Sequence, residues 1–62
     1  MKISDERWLK INALFKPWQV RQLAKNVKET EESFINHAKE QGVTVEESQE
    51  FLYDRWLIEH SL

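Results

Sequence analysis

A chain of 62 residues with a single glycine, Gly42, and a single proline, Pro17, has few residues suited to tight turns. A fold of many short strands needs a turn signal about every 8–12 residues, so this shortage predicts long helices joined at few points. The apolar fraction is 40%, with three Trp, three Phe and one Tyr, which suffices for collapse around a core although 32% of residues are charged. The expected fold class is therefore all-α, a small antiparallel three-helix bundle forming one domain over residues 1–62.

Size limits how stable such a bundle is. A chain this short buries only about 60% of the surface its unfolded form exposes. The usual aids are disulfides, a structural metal or a partner chain, and the absence of cysteine removes the first along with thiolate metal sites. A second protein, or a second copy in a homodimer, is the remaining remedy.

Local signals place the helices. Ser4 ahead of Asp5 and Glu6 reads as an N-cap with acids in the first turn, where the helix dipole favours them. The first helix is expected near 5–15, with Trp8, Ile11, Leu14 and Phe15 turned inward, Leu9 pointing elsewhere, and Glu6 and Lys10 paired outside. Lys16-Pro17 is expected to break it, because proline disfavours a helical predecessor yet suits the first turn of a new helix. A second helix near 17–41 then carries Val20, Leu23, Ala24, Val27, Phe34, Ile35 and Ala38 on one face, with Gly42 as its C-terminal cap.

Glu31 interrupts that face, and burying a lone carboxylate is costly. Either the helix is unbroken and its middle passes beyond helix 1 into water, as the lack of Gly or Pro from Val27 to Glu32 favours, or it breaks at Thr30, whose hydroxyl caps a new helix. The third helix is marked more clearly. Thr44-Val45-Glu46-Glu47 has the spacing of a capping box, which predicts a helix near 45–60.

That third helix is apolar on two sides. Val45, Leu52, Tyr53, Trp56 and Leu57 cover one wide arc expected to be core, while Phe51, Ile58 and Leu62 form a second stripe on another side. A helix apolar on two sides is usually packed on both. Either helices 1 and 2 flank helix 3 from both sides and leave nothing exposed, or the expected site is a protein interface anchored by Phe51, Ile58, Leu62 and Trp56, facing a partner or a second copy through the helix 2 and helix 3 faces.

Charge is divided unevenly along the chain. From Met1 to Lys28 there are seven basic and two acidic residues, and from Glu29 to Leu62 two basic and nine acidic, so the halves carry about +5 and −7. The simplest expectation is that acidic helix 3 lies against the basic segment within one bundle. The alternative is that the basic half faces an anionic partner. Trp18, Arg21, Lys25 and Lys28 fall along one outer ridge of helix 2, an aromatic among cations of the kind that single-stranded nucleic acid uses; the simpler expectation is that Trp18 folds back under Phe15 around the Pro17 turn and that the cations are only solvated. A helix-turn-helix is disfavoured, although Leu23-Ala24, Val27, Thr30 and Phe34 have similar spacings. Its recognition helix would open with Glu31-Glu32 against the phosphate backbone.

Other classes find little support. His37 and His60 are the only histidines, and their spacing brings no ligand set together, so no metal or other cofactor is expected. Three short helices leave little volume for an enclosed substrate pocket, so neither an enzyme nor a small-molecule substrate is expected. No apolar run approaches the roughly 20 residues of a membrane span, and the first residues lack the apolar stretch of a signal peptide. The expected compartment is the cytoplasm, and the expected function is a non-enzymatic interaction module, with a nucleic-acid-binding regulator as the alternative.

Overall fold

The computed structural model describes residues 3–61. It contains three helices, α1 (Asp5–Ala24), α2 (Glu31–Glu40) and α3 (Val45–His60), and no strand among the described residues. This is the small three-helix bundle that the turn-poor sequence predicts. The third helix begins and ends where expected, while the first two are divided differently.

Pro17 does not end the first helix but lies within α1, which continues seven residues further to Ala24. Proline inside a helix removes one backbone hydrogen bond and typically costs about 3 kcal/mol. Here the bond is lost on the solvent side, since Pro17 and Ala13, four residues before it, are both exposed. Opposing that cost, an unbroken α1 keeps Ile11, Phe15 and Trp18 in phase at i, i+4 and i+7, and all three are buried. Each large apolar side chain buried contributes about 1.5–3 kcal/mol, so continuity wins.

The break that does occur is built by Asn26. It adopts a left-handed backbone (φ 57°) just after the C-cap Lys25, and the Val27 amide donates to the Gln22 carbonyl at 3.0 Å, closing a Schellman turn. Thr30 then caps α2: its Oγ1 accepts from the Ser33 amide at 3.1 Å, and the Ser33 hydroxyl oxygen accepts from the Thr30 amide at 3.2 Å. The unbroken second helix over 17–41 is thus replaced by the alternative break at Thr30. Glu31 escapes burial by sitting exposed in the first turn of α2, where the helix dipole favours a carboxylate.

α2 and α3 form a hairpin. Gly42 turns the chain with φ 85°, the Val43 amide donates to the Ala38 carbonyl at 2.9 Å, and Val43 and Ala38 are both buried beneath this turn. The capping box at Thr44 is formed as its spacing predicts. α1 lies along the hairpin, with Arg7 at its closed end against Gly42 and Glu47, Phe15 against Phe34 and Phe51, and Gln19 bonded to Glu29 near its open end.

Aromatic rings dominate the core. Phe15, Trp18, Phe34 and Phe51 meet with centroids 5.0–5.9 Å apart, and Trp8 closes one side at 5.1 Å from Phe51. Ile11, Ala38 and Val43 fill the remainder. Among the described residues the one buried polar residue, Ser48, is satisfied by donating to the Thr44 carbonyl at 3.0 Å.

Helix lengths leave overhangs. At about 1.5 Å per residue, α1 spans about 30 Å and α3 about 24 Å, but α2 only about 15 Å. Both longer helices therefore extend past α2 at the open end of the hairpin. The overhang exposes Val20, Leu23 and Val27, which sequence spacing assigns to the core face of a second helix.

Candidate protein-interaction surface

α3 is oriented by its N-terminus. The Arg7 guanidinium donates to Glu47 through Nε at 2.6 Å and through Nη2 at 3.2 Å, and Nη2 also reaches the Gly42 carbonyl at 3.3 Å. The hydrogen bond from Arg7, aided by the Thr44 amide, lowers the Glu47 carboxyl to a pKa of about 2. Because this clamp pins the Glu47 side of α3 against α1, Phe51, one turn later, points inward. Arg55 follows on the same side, its guanidinium 4.4 Å above the Phe15 ring, bonded to Asn12 at 3.4 Å and paired with Glu59 at 3.2 Å.

The rotation exchanges the two sides expected for helix 3. Phe51, expected as an interface anchor, is fully buried and belongs to the core. Tyr53, Trp56, Leu57 and Val45, expected in the core, are exposed, and only Leu52 of that arc packs against the core cluster. Ile58 is 58% exposed and Trp56 54% exposed, so both are available to a partner. Two residues apart, they stand about 200° apart around the helix and cannot belong to one flat contact. Leu62 lies outside the described residues.

Two concavities flank the exposed part of α3. One, about 570 Å3, is lined by Gln49, Leu52, Tyr53 and Trp56 together with Glu31 at the start of α2. The other, about 380 Å3, is lined by Leu57 and Ile58 with Trp8, Asp5 and Asp54. The Trp56 ring is steadied by His60, stacked at 4.3 Å with 20° between planes, while His60 Nδ1 lies 2.8 Å from the Trp56 carbonyl oxygen. Spacing alone could have found Tyr53 and Leu57 only if the direction of the Arg7 clamp were known.

The ridge is not assembled, and Trp18 instead folds in against Phe15, the simpler of the two expectations. Trp18 is only 4% exposed and packs on Phe15 and Phe34, with His37 stacked at 6.2 Å, so it offers no ring to a base. Arg21, Lys25 and Lys28 are exposed on the far part of α1 and the loop after it. Nor does acidic α3 neutralise them: among the described residues the ion pair between α1 and α3 is Arg7–Glu47, and Lys10, Lys16, Arg21, Lys25 and Lys28 enter none. The charge division therefore remains on the surface.

Among the described residues no group of three His, Asp or Glu side chains is placed to hold a metal ion, and no helix is long and apolar enough to cross a membrane. In comparisons with protein-family models, curated proteins and solved structures, nothing matches this chain.

Proposed function

We propose that the protein is a non-enzymatic interaction module, of the adaptor, inhibitor or regulatory-subunit kind, that docks the exposed surface of α3 on another protein. One observation carries this reading: Tyr53, Trp56 and Leu57 lie exposed on one side of a well-capped helix, with Ile58 exposed on another side beside Leu57. Exposed aromatic and aliphatic clusters of this density are uncommon on monomers and dominate binding where they occur. Trp56 and Tyr53 supply amphipathic anchors at low conformational cost, and the groove beside them supplies relief for a partner's side chain.

The test is capture from a lysate with tagged wild type, Trp56→Glu and Ile58→Glu, each with and without nuclease. The expected result is a stoichiometric protein band that survives nuclease and is lost in at least one variant, while circular dichroism of both variants stays helical. A band indifferent to both substitutions, or nuclease-sensitive nucleic acid in place of protein, would overturn the reading.

A further inference from the structure

The chain also carries a surface complementary to this one. Along the outer side of α1, Leu9, Ala13, Lys16, Val20 and Leu23 recur at helical spacing, and all are exposed. From Leu9 to Lys28 there are five cations and no acid; Lys16 lies within the stripe, and Lys10 and Arg21 lie along one side of it. This is a basic amphipathic helix face, and none of the described residues covers it. Its best-exposed apolar members, Val20 and Leu23, are 65% and 67% exposed.

The groove on α3 has the opposite character. Its floor is aromatic and aliphatic, made by Leu52, Tyr53 and Trp56, and Glu31 lines one wall. Glu46 lies exposed on the same side of α3, one turn before Gln49 and two before Tyr53; in the adjoining cleft with Trp56 stand Glu29, which accepts from Gln19, and Glu59, which is paired with Arg55, so acids outnumber cations there. An apolar helix edged by cations and an apolar groove edged by glutamates fit each other in shape class and in sign. The two lie on different faces, so they can meet only between chains.

We infer that the occupant of the Tyr53–Trp56 groove is the outer face of α1 from a second copy of this chain. The inference rests on the α3 surface proposed above and names its partner. Around a two-fold axis the contact is made twice and closes as a dimer; without closure the same contact builds an open chain of copies. In either case a foreign partner for α3 must compete with self-association, so the free surface depends on protein concentration. The opposite charges make the contact weaken as salt screens them.

Because donor and acceptor faces differ, the contact is testable by complementation. Trp56→Glu disables the groove and leaves the α1 face intact; Leu23→Glu does the reverse, and both positions are exposed enough to spare the fold, which circular dichroism verifies. Sedimentation velocity at high micromolar concentration is expected to show wild type above monomer mass at low salt and nearer to it in half-molar salt. Each variant alone is expected at monomer mass, and their equimolar mixture is expected to regain a two-chain species through the one surviving groove and face. Tyr53→Glu with Val20→Glu provides a second pair should either first variant lose its helices.

A monomeric wild type, variants that assemble unaided, or a mixture that stays monomeric would each overturn the inference. If the mixture fails while wild type still captures a foreign protein through Trp56, the interaction module stands and only its self-partner is lost.

Discussion

The Arg7 guanidinium ties three parts of the chain together: its own helix, the Gly42 turn and the capping box of α3. Its pairing with Glu47 makes stability depend on pH with a definite sign. A carboxyl lowered to about 2 in the folded state, against about 4.3 unfolded, adds stability that is complete above pH ~4.5 and is lost as pH falls toward 2. Thermal melts of wild type and Glu47→Gln are therefore expected to differ most near neutrality and to converge between about pH 4.5 and 2. A gap that stays constant across that window would mean the pair does not couple to folding. Position decides the outcome at two nearby aromatics of α3. Phe51→Ala removes a ring that touches Trp8, Phe15 and Phe34, and core truncations of this kind cost about 3–5 kcal/mol. In a domain this small that approaches the whole stability, so the variant is expected to lose its helical circular dichroism, whereas Trp56→Ala is expected to melt near wild type at protein concentrations too low for self-association.

Helices were legible where a local signal stood alone. The Ser4 N-cap, the capping box at Thr44 and the Gly42 turn each depend on residues within a few positions of one another, and each is formed. At Pro17 the local rule that proline ends a helix conflicts with a phase relation that runs through it, and the phase relation prevails. Trp8, Ile11, Phe15 and Trp18 keep one heptad-like spacing only if the helix continues, and starting a new helix at Pro17 turns Trp18 outward and Val20 inward. Asn26 carried the true stop signal, an Asn in the left-handed position where glycine is customary. The two sides of α3 were distinguishable in sequence, but which one faces α1 depends on Arg7 meeting Glu47 across forty residues, and no local rule reaches that far. If tertiary packing overrides proline here, removing it should help. Pro17→Ala is expected to restore the missing backbone bond and raise the melting temperature, by several degrees for each kcal/mol regained. A lower melting temperature would show that Pro17 instead stabilises the fold by restricting the unfolded chain.

A molecule with dimensions of 32 × 31 × 17 Å is a slab, so its core has large faces on either side and little depth. Among the described residues seven buried apolar side chains make that core, while nine large apolar residues remain exposed. With no disulfide, and no metal cluster among the described residues, association is the natural source of further stability. Any copy that binds the folded state but not the unfolded one raises stability by mass action, so the melting temperature becomes a function of protein concentration. For wild type a rise of several degrees is expected across a hundredfold increase in concentration at low salt, and a smaller rise in half-molar salt, where the α1 cations and the acids beside the groove are screened. Trp56→Glu is expected to melt at one temperature throughout the series, because its folded state no longer gains from a second copy. Differential scanning calorimetry over that range makes the comparison directly, and a wild-type melting temperature independent of concentration would mean that the slab is stable alone and that its apolar surface is kept for a different protein.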